Sequence, residues 1–246
     1  MQNANLGTTY HVQYAANPPA FSLDDNAADW HDIPALKINH FHPDSSDHQP
    51  ATQARICYDN RGLYLHYHVQ DNYIIAQHKQ HQQQVCEDSC VEFFVQPVPC
   101  LPQPDGRLAR GYFNFEMNCI GTILLHYNTI PRKQSIAITN TWLDKIECRT
   151  TFTSSISIEI SAPTTWQVQL FIPFTLFEAY LGPLGTQHPV NNPGAGVTWL
   201  ANLTKCADES SHPHWATWSP IGTKLDFHQP DTFGFITFDP PNHTAT

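Results

Sequence analysis

The chain has 246 residues, 41% of them hydrophobic and 12% aromatic, which places it among globular rather than disordered sequences. Its 12 basic and 22 acidic residues give a formal charge of −10, and no Lys/Arg cluster is visible, so a nucleic-acid partner is excluded as the expected ligand. No apolar run approaches the roughly 20 residues that a membrane helix needs, so no membrane partner is expected either.

The chain opens on MQNANLGTTY, which is polar and carries neither a basic start nor an apolar stretch. As it stands it shows no secretory signal, and the expected compartment is the cytoplasm, or an exported space if a leader has been trimmed. Seven cysteines follow at scattered positions, Cys57, Cys86, Cys90, Cys100, Cys119, Cys148 and Cys206, without a CxxC pair. Zinc-type spacing is absent, and reduced core thiols are the expectation.

Ala54, Ile56 and Tyr58 alternate with polar neighbours, the turn Asp59-Asn60-Arg61-Gly62 follows, and Leu63, Leu65, Tyr67 and Val69 resume the alternation. This predicts a β-hairpin. Similar short segments recur at 88–96, 110–119, 121–127, 135–140, 146–161, 165–172, 196–204 and 232–238, with prolines between them. Residues 97–110, with four prolines, read as a long loop. One segment departs from period two: Pro173 to Gly182 has proline first, glycine last and apolar residues at helical spacing, and predicts a short helix. The expected fold is all-β, an immunoglobulin-like or jelly-roll antiparallel β-sandwich with one short helix, in one domain spanning 1–246 with its core at about 10–238.

Two strands carry an unusual polar face. In 110–119, Phe113, Phe115, Met117 and Cys119 share one side, and Tyr112, Asn114, Glu116 and Asn118 the other. In 88–96, Val91, Phe93 and Val95 oppose Asp88, Cys90, Glu92, Phe94 and Gln96. If the strands pair, Asp88, Glu92, Asn114, Glu116 and Asn118 share one sheet face. That face reads either as a platform of acceptors for sugar hydroxyls or as an ordinary solvated surface. Glu92 and Glu116 also form a carboxylate pair of the kind glycoside hydrolysis requires. The same oxygens would suit Ca²⁺.

The segment from Trp199 to Phe238 concentrates three tryptophans with His212, His214 and His228. Rigid aromatic faces pack on the apolar face of a pyranose while polar neighbours orient it. Alternation puts Trp199 with Val197, Ala201 and Leu203, a core face, whereas Trp215 and Trp218 lie in a loop-like stretch and are the candidate stacking residues. Lys205 is a candidate donor and Asp226 a candidate acceptor. The three histidines raise transition-metal ligation, although their spacing matches no standard zinc pattern.

The motifs EDSCVEFFV (Glu87–Val95), YFNFEMNCIGT (Tyr112–Thr122), ANLTKCADESSHPHWATWSPI (Ala201–Ile221) and DFHQPDTFGFITF (Asp226–Phe238), with ICYDNRGLYLHYHVQDNYI before them, resemble family 9 carbohydrate-binding domains in order and spacing. The resemblance implies a DOMON-like β-sandwich that binds saccharide on a concave face, with structural calcium as in the family 9 modules of xylanases. Haem, which DOMON-like relatives hold, would need axial His or Met, and the chain has only Met1 and Met117. Where similar chains carry an arginine and two aromatics before the Lys-Cys pair, this one has Leu200, Leu203 and Thr204. The expected function is non-catalytic carbohydrate binding through Glu92, Asn114, Glu116, Asn118, Asn202, Lys205, Trp215 and Trp218. The alternative is an O-glycosyl hydrolase of carbohydrate catabolism using Glu92 and Glu116.

Overall fold

The structure, a computed structural model, describes residues 7–23, 30–97, 111–181 and 196–241. The predicted loop at 97–110 and Cys100 lie almost entirely outside the described residues, as does Gly182. The described chain is mostly strand: β1 (Thr9–Tyr14), β2 (Leu36–Ile38), β3 (His40–Phe41), β4 (Ala51–Tyr58), β5 (Gly62–Asp71), β6 (Ile74–Ala76), β7 (Cys90–Gln96), β8 (Tyr112–Asn118), β9 (Ile123–Ile130), β10 (Gln134–Ala137), β11 (Glu147–Thr150), β12 (Ile156–Ile160), β13 (Thr164–Pro173), β14 (Thr198–Cys206), β15 (Trp215–Thr217) and β16 (Gly234–Phe238). The helix α2 (Phe174–Leu181) occupies the predicted place, and α1 (Asn140–Leu143) adds a single turn.

Two sheets face each other. The first runs β10-β9-β8-β7-β14-β16-β1, and the second β1-β4-β5-β13-β11. Strand β1 belongs to both. Thr9–Val12 pair with β16, and Gln13–Tyr14 pair with the end of β4. Both pairings are parallel, whereas the hairpins and meanders elsewhere are antiparallel. A tight turn forces its two strands to run antiparallel. No turn joins β1 to either partner, so nothing local sets its direction. The fold is thus the expected all-β sandwich, with this one parallel crossing strand as a difference. The segment predicted as one strand at 146–161 is split into β11, which lies in the second sheet, and β12, which pairs with β6.

Alternation builds the core as the sequence predicts. Val91, Phe93, Val95, Phe113, Phe115, Met117, Trp199, Ala201 and Leu203 meet Ile56, Leu65, Tyr67, Trp166, Val168 and Leu170 between the sheets. Each large apolar side chain so buried contributes roughly 1.5–3 kcal/mol. Helix α2 closes one end. Its Phe177 ring lies 5.1 Å from Phe113 and 5.5 Å from Trp199, in edge-on contacts.

The outer face of the first sheet is also covered. Every residue of β7 and β8 is buried. A second apolar cluster, including Val85, Phe94, Tyr112, Ile221, Phe227 and Phe233, packs there beneath the segments at 77–88 and 207–233. The solvated-face reading of Asp88, Glu92, Asn114, Glu116 and Asn118 is therefore wrong: loops from both sides of the sheet close over it.

Candidate functional site

The covering loops leave a pocket of about 290 Å³ on this outer face. Its floor is strand-built. Glu92 and Phe94 come from β7, Glu116 from β8 and Cys206 from β14. Glu92 lies directly opposite Glu116 across the β7–β8 ladder and opposite Thr204 on β14. One wall is Trp215 with Asp208, and the other is the Leu225–His228 segment with Arg132, while Gln84 and Cys86 complete the rim.

Each wall is braced by its own hydrogen bonds. Trp215 Nε1 donates to Asp208 Oδ1 at 2.7 Å, which fixes the indole plane. Arg132 Nε and Lys224 Nζ donate to the Asp226 carboxylate at 2.9 and 2.8 Å, and the His228 backbone N–H donates to Asp226 Oδ1 at 3.0 Å. His228 Nδ1 lies 2.7 Å from the Tyr112 hydroxyl. Asp226 is thus spent on bracing the wall. Arg132 sits after Pro131 with φ of +58°, and the Lys133 N–H closes the turn onto the Ile130 carbonyl at 3.0 Å. Such a turn prefers glycine there, so the arginine is held at a conformational cost of order 1–2 kcal/mol.

The floor carries too many acids for its cations. Burial, then the Glu116 charge, raises the Glu92 pKa well above the usual carboxylate range. Burial pushes Glu116 up to about 7, against a hydrogen bond from Asn114 that lowers it. Burial also raises Asp208. His228 is pushed down to about 3, first by burial and then by Arg132, so its imidazole is neutral.

The eight sequence-predicted residues separate into two groups. Glu92, Glu116 and Trp215 line the pocket, with Asn114 donating to Glu116 Oε1 at 2.8 Å while accepting from Asn128 at 2.6 Å. Asn118, Asn202, Lys205 and Trp218 lie elsewhere. Asn118, with Asp88, pins the covering loop: its Nδ2 donates to Asp88 and to the His78 carbonyl at 2.8 and 2.9 Å. Asn202 exchanges two 2.9 Å hydrogen bonds with the backbone of Ser219. Lys205 shares the parity of Leu203 and points between the sheets, fully buried, with Nζ 3.4 Å from Asp71 and 2.7 Å from His214 Nε2. Trp218 is 5% exposed and packs in the inter-sheet core against Gly234, where a Cβ would fall 2.8 Å from the indole.

The three histidines do not converge. His212 stacks on Tyr73 at 3.7 Å, His214 holds Lys205, and His228 faces Tyr112. Among the described residues, the one group of three or more acid, thiol and imidazole donors close enough for a metal is Cys90, Glu92 and Cys206. Two of those donors are sulfur, which does not fit calcium's demand for oxygen. Of the three departures noted above, Leu203 is in the inter-sheet core, Leu200 packs on the outer apolar cluster, and Thr204 donates to Glu92. Gln84, Cys86, Arg132, Asp208, Phe227 and His228 were not anticipated as lining residues. His228 and Asp208 stood inside quoted motifs, but only the loop folding brings them to Glu92.

A two-sheet β-sandwich with a loop-walled, aromatic-edged pocket on one sheet defines a small-ligand binding module. The family model for carbohydrate-binding family 9 matches residues 22–238, and the chain belongs to that family. A candidate carbohydrate-binding protein from Bacteroides uniformis ATCC 8492 superposes with a TM-score of 0.76 at 26% identity, covering 95% of this chain and 100% of its own. Two structures of a family 9 module from Caldicellulosiruptor kristjanssonii, in complex with glucose and with cellotriose, share the fold. Their TM-scores are 0.59 and 0.58 at 12% and 13% identity, covering 96% and 97% of this chain and 98% and 97% of theirs. No curated protein sequence matches the chain.

Proposed function

We propose that this protein binds the end of a short saccharide in the pocket between Trp215 and the Phe227–His228 wall, without altering it. The observation that carries this reading is the conjunction of a braced, half-buried indole with the buried Glu92–Glu116 floor. The indole offers a flat face to the apolar side of a sugar ring, and the carboxyls offer acceptors and a donor to its hydroxyls. The pocket is at the small end of the range for ligand sites, about 300 Å³, which suits a chain end rather than a long polymer. Family membership and the saccharide complexes of the Caldicellulosiruptor modules support the ligand class. Isothermal titration against a panel of mono- and oligosaccharides tests it. Heat from at least one sugar, lost in Trp215→Ala, is the expected result; no heat from any sugar at millimolar concentration overturns it.

Glycoside hydrolysis has one observation in its favour, the raised Glu92 and Glu116 carboxyls. Against it, the two stand side by side on one floor, whereas hydrolysis needs carboxyls flanking the scissile bond. Release of reducing sugar that Glu116→Gln abolishes would restore the enzymatic reading.

A further inference from the structure

The pocket floor holds a second kind of chemistry that a sugar does not call for. Cys90 and Cys206 are directly paired across β7 and β14, and Glu92 lies two residues along β7 on the same face. Their ligand atoms lie within 4.8 Å of one another, and all three side chains are buried. Cys206 Sγ lies 3.4 Å from Glu92 Oε1. A tetrahedral zinc ion with arms of about 2.3 Å to sulfur and about 2.0 Å to oxygen has an S···O edge of roughly 3.5 Å.

We propose that Cys90, Glu92 and Cys206 form a binding site for one thiophilic divalent cation of the zinc class, with its fourth position open to the pocket. Two sulfurs and one carboxylate oxygen are a donor set for a borderline-soft ion and not for calcium or magnesium. The donors come from two adjacent strands in the middle of the first sheet, so their geometry is set by ladder hydrogen bonds rather than by a loop. Glu92 is oriented by a further partner. Thr204 Oγ1 donates to Oε2, which leaves Oε1 facing the sulfurs. Glu92 and Cys206 line the pocket, so a ligand hydroxyl or water has access to the vacant vertex. Binding displaces both thiol protons, and the Glu92 proton where the carboxyl holds one, to solvent, so affinity rises with pH. The sequence hides the site because its donors are joined by strand register and not by a CxxC spacing.

Zinc X-ray absorption on the reduced full-length chain with one equivalent of Zn²⁺ and no sugar tests the proposal without any substitution. Two sulfur neighbours at about 2.3 Å with oxygen at about 2.0 Å are expected. A shell of oxygen and nitrogen alone overturns the proposal, as does a Cys90–Cys206 disulfide that persists under reducing conditions. In parallel, Cd²⁺ should give a thiolate charge-transfer band saturating at one ion per chain. Cys90→Ser and Cys206→Ser should lose it and Cys148→Ser keep it, and Thr204→Val should weaken binding by roughly 10–100-fold. A band that survives both Cys90→Ser and Cys206→Ser overturns the site. Because these assays contain only metal, their failure leaves the saccharide reading intact.

Discussion

Glu92 and Glu116 are cross-strand partners on β7 and β8, and both carboxyls are directed into the same buried pocket floor. Burial raises both carboxyls, and for Glu92 the facing Glu116 charge adds to the effect. The site is therefore built on a pair of acids whose protonated forms the fold favours.

Stability should fall as pH rises from about 4.5 toward 7 and level off above. The folded pKa of Glu116, about 7, lies above its ordinary value of 4.5, so the native state holds more protons between those values. Ionisation of Glu116 then costs about 3 kcal/mol above pH 7. Glu116→Gln should match the wild type at pH 5 and exceed it in Tm at pH 8. His214 and His228, each held at about 3, act in the opposite sense: stability that they contribute is lost as pH falls from 6.5 toward 3. Thermal melts of the wild type and the variant from pH 4 to 9 check both limbs; a pH-independent difference between the two proteins contradicts the Glu116 assignment.

Trp215 and Trp218 should behave as opposites although they are three residues apart. Trp215→Ala removes a pocket wall and should lower saccharide affinity by at least about tenfold, with little loss of Tm. Trp218→Ala empties part of the inter-sheet core and should cost about 3–5 kcal/mol while sparing affinity in the molecules that stay folded. Paired calorimetry of melting and binding separates the two outcomes.

Lys205→Met should damage the fold and not the site. Lys205 is fully buried and 3.4 Å from Asp71, which also holds His48 at 2.7 Å and Trp166 Nε1 at 3.2 Å. Removing one member of a buried ion pair strands its partner, a loss of about 3–5 kcal/mol. The double variant with Asp71→Asn should recover part of it. Urea denaturation gives the stability, and a selective loss of sugar binding with unchanged stability would instead return Lys205 to the pocket.

Arg132→Gly should leave stability nearly unchanged, because glycine relieves the positive φ of the turn while the ion pair to Asp226 is lost. If the arginine is retained for the pocket, saccharide affinity falls by a few-fold to tenfold. Unchanged affinity by titration would assign Arg132 to the wall alone.

Alternation made most of the fold legible. It placed Phe113, Phe115 and Met117 against the core, Glu92 and Glu116 on the outer face, and Trp199 inside, because period two is a property of the strand itself. Extended two residues beyond Leu203, the same count already puts Lys205 on the core side. A buried lysine is credible only once its distant partner Asp71 is known. Likewise an odd spacing puts Trp215 and Trp218 on opposite sides of an extended chain, without saying which side is the pocket.

The sequence by itself determined the strands and the outward turn of the two glutamates, consequences of local pattern, and its ordered motifs carried the family resemblance and the β-sandwich that it implies. Tertiary structure alone decided that Asp88, Asn118 and Asn202 hold loops, that Arg132, Asp208 and His228 wall the pocket, and that Cys90 meets Cys206. Those relationships arise where segments far apart in the chain fold over one sheet face, and they depend on strand register and loop path, which no local periodicity encodes.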